Sequence, residues 1–435
     1  MRKFSFVLML TLFAVGMASH AEAQFWKNWF GKKEEKRKPR PHKPVSSPDE
    51  PVRTKSFAGK KHEVTYPDSK IKKHYRIDVL VPLYLDELVN GDYVTFKDKV
   101  PEKALLGLDF YEGLKMAVDT LSRYSFSIDV YVHDIATFNS SPEQLVNGGK
   151  LDSADLIIGA IQSHDIPVIA SFAKKMHINF VSAVSPSDGG VKDNQYFTLL
   201  QPSLQLHCEA ILNAISKKYH SRAVSVLYRT TAKADENAYN IIIKDTSLDI
   251  EYQKLLVNKL PTHEKMLPLF DSTKTNVVIV PIIDNVFADS ILKDLHNNFP
   301  SYKFEVYGMP TWKSMASLHK SDAYPNIGIT ITAPTYFDAS TAIGQYVEGK
   351  YKKEYGGRPG DMVYTGYEDM YWYANLLLQN GTIFNKKYTG NSTAPFTRFD
   401  ISPRWDKDDN IYYNENRHVY LYRYQSGSYM VSSAD

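Results

Sequence analysis

From Tyr75 onward, short runs of apolar residues alternate with stretches whose apolar positions recur at helical spacing. Ile77 to Leu83 (IDVLVPL) predicts a central strand. Ala104 to Leu121 follows as an amphipathic helix, with Leu105, Leu108, Leu114, Ala117, Val118 and Leu121 along one side. Strands are expected at Ile128–Val132, at Ala154–Ile158 (ending at Gly159) and at Ile178–Ser182, with a helix over Ile166–Lys175. A second series starts after Gln201-Pro202. It runs helix Leu204–Tyr219, strand Ala223–Tyr228, helix Ala234–Lys244, strand Asn276–Pro281, helix Asp284–Asn298 with Asp284 as its cap, and strand Lys303–Tyr307. Repeated strand–helix–strand order predicts parallel sheets covered by helices on both faces. Two such series of similar length predict an α/β chain of two Rossmann-like lobes. Ligands of such sheets bind outside the carboxyl ends of the strands, and two facing lobes make a cleft that closes by a hinge.

Length and composition agree with this. The 435 residues suffice for two domains, and 43% hydrophobic with 23% charged residues excludes wholesale disorder. A mean hydropathy of −0.36 excludes a multi-pass membrane protein. One cysteine, Cys208, excludes an intramolecular disulfide and a Cys-based zinc cluster.

Residues 1–23 read as an export signal: Arg2 and Lys3, an apolar stretch from Phe4 to Met17, then Ala21-Glu22-Ala23 before Gln24. No cysteine follows the apolar run, so the chain is expected in the periplasm and not as a lipoprotein. Residues 24–74 read as a disordered, Pro-rich basic tail. From Gln24 to Lys61 the charge is +8, against −6 for the remaining body. Phe25, Trp26, Trp29 and Phe30 precede the run Lys32 to Lys38. This pattern suits contact of 24–61 with an anionic membrane surface or another polyanion such as peptidoglycan, and equally suits a solvated spacer. No nucleic-acid partner is expected of an exported chain.

The body, about Tyr75 to Met430, resembles the type I periplasmic binding proteins of the Leu/Ile/Val receptor class. The resemblance rests on ordered segments: Val81-Pro82-Leu83 followed by Gly107 to Asp119 (GLDFYEGLKMAVD), Asp155 to Ser163 (DLIIGAIQS), Ile178 to Pro186 (INFVSAVSP), Tyr364 to Asp369 (YTGYED) and Phe396 to Asp400 (FTRFD). It implies three crossover strands, placed near Gln201, Thr330 and Thr397. The lobes would then be 75–201 plus 331–397 and 202–330 plus 398–428. It also implies a small-molecule ligand in the cleft and a membrane transporter as partner. The candidate contacts are Tyr84, Gln162, Ser163, Ser182 and Ser185 from the first lobe, with Tyr228, Asp284, Met309 and Thr311 from the second. Ser163 and Ser185 would take a carboxylate, aided by the helix that follows Ser163. Receptors of this class carry an acid two positions after the Gly that ends the Lys303–Tyr307 strand. Here Gly308 is followed by Met309-Pro310-Thr311, so an ammonium in the cleft would lack its counter-charge. Asp284 is the substitute if it is not spent as a helix cap.

No G-x-S-x-G, H-E-x-x-H or Walker A pattern occurs, and no enzymatic activity, cofactor or metal is expected. His207 and Cys208 are neighbours on a helix, about 100° apart, which suits a buried face. The aromatic run Tyr367, Tyr371, Trp372 and Tyr373 suits lobe packing or stacking on a sugar or peptide. Asn391-Ser392-Thr393 is a glycosylation sequon with little meaning in a bacterial periplasm. Two functions remain open: a receptor delivering a small polar solute, or an envelope module contacting peptidoglycan or a peptidoglycan synthase.

Overall fold

The structure is a computed structural model and describes residues 64–124, 127–219, 223–245, 248, 250–320, 323–388, 390–425 and 427–431. The expected export signal and the tail up to residue 63 lie outside the described residues. In chain order, β1 (Tyr75–Val81) is followed by a small hairpin of β2 (Val89–Asn90) and β3 (Tyr93–Val94), then by β4 (Ile128–Asp134), β5 (Leu156–Gly159), β6 (Asn179–Ser182) and β7 (Phe197–Leu199). Next come β8 (Ala223–Tyr228), β9 (Glu251–Leu256), β10 (Thr275–Ile279), β11 (Lys303–Gly308) and β12 (Ile327–Ala333). The chain ends with β13 (Gly390–Thr393), β14 (Arg398–Trp405), β15 (Ile411–Asn416), β16 (Tyr420–Gln425) and β17 (Ser428–Val431).

These strands form two large sheets. The first has the order β13-β14-β15-β7-β6-β5-β1-β4, the second β17-β16-β12-β11-β10-β8-β9. Both are parallel through the middle and antiparallel at the end built from the C-terminal strands. The chain therefore passes between the sheets three times, the number that the family resemblance implied.

Two of the crossings differ from their expected places. Thr330 lies inside β12, opposite Arg423 of β16, so the second crossing is 334–341. Thr397 precedes β14, which pairs with β13 and β15 in the first sheet, so 398–416 belongs there and the third crossing is 417–419. Partners far apart in sequence decide both, β16 antiparallel to β12 and β7 parallel to β15, and no local pattern announces them. The tail boundary also moves. Residues 65–72, expected in the tail, strap the amino ends of the first sheet. The Ser69 hydroxyl donates to the Asn380 carbonyl (2.6 Å), Lys70 and Thr382 exchange hydrogen bonds, and Lys72 pairs with Asp155.

The helix Asp361–Asn380 lies directly on the helix Glu102–Leu121. A Cβ on Gly113 would sit 1.8 Å from the Val363 carbonyl oxygen, and one on Gly366 would sit 2.0 Å from that of Phe110. Backbone meets backbone here because neither residue has a side chain. The aromatic run packs around this contact. Tyr364 stacks on Phe337 at 5.3 Å, Tyr367 on Tyr371 at 5.9 Å, and Tyr373 is fully buried. Lobe packing is its role.

A buried charge stands in the middle of β1. Asp78 takes Arg76 Nε at 2.7 Å and His133 Nε2 at 2.7 Å. Burial alone would raise its pKa, but the hydrogen bonds from His133 and Arg76 outweigh burial and hold the carboxyl below its usual range.

Two outcomes are expected. Gly366→Ala should destabilise the protein by about 3 kcal/mol, the upper end for overpacking. Gly349→Ala, at an exposed helical position with open space around it, should stabilise it by about 1 kcal/mol. Urea unfolding of both variants checks this, and equal midpoints would contradict the close crossing. Asp78 binds its proton less readily when folded, so its stabilisation is intact above the unfolded carboxylate pKa of about 4 and fades as pH falls through the lower folded value. Asp78→Asn should flatten this acid limb in a melting-temperature series against pH.

Candidate functional site

In both sheets the carboxyl ends of the parallel strands carry the candidate residues. Tyr84 follows β1 in a left-handed conformation (φ 58°) and caps the short helix Leu85–Leu88. Its amide and those of Leu83 and Leu85 donate to the Asp134 carboxylate, and its ring lies under Lys103 Nζ at 4.8 Å. Gln162 and Ser163 are half-buried after β5. Ser163 lies against the next loop, since a Cβ on Gly189 would stand 2.5 Å from its carbonyl oxygen. Tyr228 ends β8 and stacks face to face on Tyr239 at 3.7 Å.

The other candidates are turned inward. Ser185 is fully buried, and its hydroxyl donates to the Ser187 carbonyl (2.8 Å) and accepts from the Ser187 amide (3.1 Å). It closes its own turn, which corrects the expectation that it faces the cleft as a free donor. Met309 is part of the second core, and Thr311 is buried with its hydroxyl donating to the Ile283 carbonyl at 2.7 Å. Both are corrected for the same reason: the Trp312 ring packs over Gly308 and its Nε1 donates to the Ile282 carbonyl, which folds this turn into the lobe. Ser182 is buried at the end of β6, and its hydroxyl has no hydrogen-bond partner.

Asp284 is a helix cap, accepting from the amides of Val286 (3.1 Å) and Phe287 (3.2 Å). It is also one side of a pair that sequence reasoning missed. Arg229 gives Nε to Asp235 at 2.7 Å, reaches Asp284 at 3.5 Å, and lies over the Phe287 ring at 4.7 Å. Asp235 is buried and also takes the Ile283 amide at 2.8 Å. A charged residue directly after the apolar β8 was the available signal. Lys313 was also missed: it forms a close ion pair with Asp361, linking the turn after β11 to the first residue of the helix Asp361–Asn380. Within that helix, Glu368 is buried, and burial raises its pKa to about 7 although it accepts the amides of Phe396 (2.7 Å) and Thr397 (2.6 Å). His207 and Cys208 are both fully buried, with His207 pushed down to about 3 and the Cys208 thiol pushed up by desolvation. Among the described residues no group of His, Cys, Asp and Glu is arranged to hold a metal ion.

No family model matches the sequence, and no curated protein matches it. Solved structures do. An ABC transporter substrate-binding protein from Desulfitobacterium hafniense, in complex with Leu, matches with a TM-score of 0.54 at 16% identity, covering 82% of this chain and 100% of that one. An ABC-type branched-chain amino acid transporter protein from Rhodopseudomonas palustris gives 0.56 at 13%, covering 83% and 95%. A branched chain amino acid ABC transporter periplasmic ligand-binding protein from Burkholderia xenovorans gives 0.55 at 12%, covering 83% and 95%. The chain has the type I periplasmic binding protein fold. Among the described residues of this periplasmic binding protein fold, no helix is long and apolar enough to cross a membrane.

Removing Arg229 should take the counter-charge from two carboxylates, one of them buried, and leave them their backbone amides. Arg229→Gln is expected to cost about 3 kcal/mol, with Asp235→Asn in the same chain restoring part of it. Denaturant midpoints of the single and double variants check the coupling.

Proposed function

We propose that this protein binds a small polar solute between its lobes, without catalysis, and passes it to a membrane transporter. The triple passage of the chain between two parallel sheets carries this reading, because it hinges together two sets of strand ends. The solved relatives in fold are substrate-binding proteins, one of them holding Leu. Export through cleavage of residues 1–23, and surface contact through 24–61, belong to the same reading on sequence grounds.

The second wall argues against a free amino acid. After β11 the turn is buried, and its first charged side chain is Lys313, a cation. Asp284 is engaged by two helix amides and by Arg229. Among the described residues after β8 and β11, a ligand ammonium would meet no uncommitted carboxylate and would lose its hydration without replacement. The solute is therefore a carboxylate-bearing or sugar-like molecule without a free amine, met from the first lobe by Gln162 and Ser163 and from the second by Tyr228.

Calorimetric titration with leucine, its deaminated keto acid and a soluble muropeptide stripped of its peptide tests the reading. Binding of the keto acid or the muropeptide, with leucine at least tenfold weaker, is the expected result. Tight leucine binding that survives Ser163→Ala and is abolished by Asp284→Asn would overturn it.

A further inference from the structure

The amino ends of the first sheet gather three segments of chain at one end of the lobe. Ile77, Leu156 and Asn179 stand level across β1, β5 and β6. The segments leading into β1 and β6 therefore emerge side by side, about 10 Å apart across the intervening strand. The stretch after the helix Asp361–Asn380 joins them. Asn179 Nδ2 donates to the Thr382 carbonyl at 2.8 Å, Thr382 and Lys70 exchange hydrogen bonds, and Lys386 Nζ donates to the Pro67 carbonyl at 2.7 Å. His177 stacks on Tyr196 at 5.3 Å, and Tyr196 meets Tyr66 edge to face at 6.1 Å.

In a body of net negative charge, residues 64–74, 174–179 and 380–388 hold seven lysines and one carboxylate, Asp68. Asp155 neutralises Lys72, and Asp193 neutralises Lys174. Lys70, Lys73, Lys175 and Lys387 are exposed and form no ion pair with a described residue. Two apolar side chains stand out among them, Ile71 at 76% exposure and Met176 at 39%. Exposed lysines alone suit any polyanion. Lysines around protruding apolar side chains suit a bilayer interface, where charge meets anionic headgroups and apolar atoms leave water. Aromatic and basic residues also stand together between Phe25 and Lys38, on the chain that enters the lobe at this same end.

We propose that this end of the first lobe docks on an anionic lipid bilayer through Lys70, Ile71, Lys73, Lys175, Met176 and Lys387. The docking face is folded, and so goes beyond the surface contact read for 24–61. Two weak contacts carried on one chain reinforce each other. The docking also sets an orientation. Gln162 and Ser163 follow the opposite end of β5, so a lobe seated on its amino ends keeps them turned away from the bilayer and open to solute.

The test sediments the full mature chain with three partners: equimolar phosphatidylglycerol–phosphatidylcholine vesicles, pure phosphatidylcholine vesicles and peptidoglycan sacculi. The wild type should bind the anionic vesicles alone. Lys70→Gln, Lys73→Gln, Lys175→Gln and Lys387→Gln combined should weaken that binding at least tenfold, and Ile71→Ser about threefold. All five positions are exposed, so melting temperatures should not change. An environment-sensitive dye on Ile71→Cys should shift to the blue on anionic vesicles, whereas one on Val286→Cys, exposed in the second lobe, should not; Cys208 is fully buried and takes no label. Undiminished vesicle binding by the fourfold variant, or a silent dye at position 71, would overturn the docking face and leave the contact through 24–61 standing. Wild-type binding to sacculi in place of vesicles, or to neither, would overturn the lipid partner and the proposal with it. Solute binding is measured separately and does not depend on either outcome.

Discussion

The contact of the helices Glu102–Leu121 and Asp361–Asn380 through Gly113 and Gly366 holds the architecture together. After the second crossing the chain has left its first lobe for more than a hundred residues and must dock back on it with one register. Carbonyl oxygens within van der Waals reach of the facing glycines permit that register and exclude neighbouring ones, because any side chain at either position would collide with backbone. Much of the rest is hung from this helix. Its first residue, Asp361, takes Lys313 from the other lobe, and Glu368 holds the amides of Phe396 and Thr397. That in turn sets the start of β14, and through β14 the alignment of β15 beside β7.

Buried polar groups in this molecule fall into two kinds. Asp78 and Asp235 are buried with guanidinium partners at 2.7 Å and additional hydrogen bonds, which is how an interior tolerates a charge. They stand within β1 and behind β8, where they fix the lobes internally. The unpaired kind is spread over both lobes and includes Ser182 Oγ, Asn285 Oδ1 and both ring nitrogens of His207. Stability alone does not account for unpaired polar atoms, since each one costs free energy on burial.

Much of this was legible in the sequence, and the remainder failed for identifiable reasons. The strand Ala223–Tyr228 and the Asp284 cap are found as the alternating and capping patterns predict, because both depend on residues adjacent in the chain. The sheet membership of 398–416 was not legible, since an antiparallel strand reads alike whichever sheet it joins. The turn after Gly308 misled in another way. Met309 and Thr311 stand where a cleft wall would be, but Trp312 three residues on pulls the turn into the core, and only the packed structure shows that. Ser185 was chosen correctly as a polar turn residue and wrongly as a free donor. Its two bonds to Ser187 are the local competition that Ser residues in turns provide.

The charges near the strand ends of the second lobe are balanced before any ligand arrives. Arg229 is matched by Asp235 and Asp284, and Lys313 by Asp361. A ligand with a full charge would have to displace one of these partners and expose it, whereas a hydroxyl displaces only water. Half-buried Tyr228 is held at the end of β8 by its face-to-face stack on Tyr239.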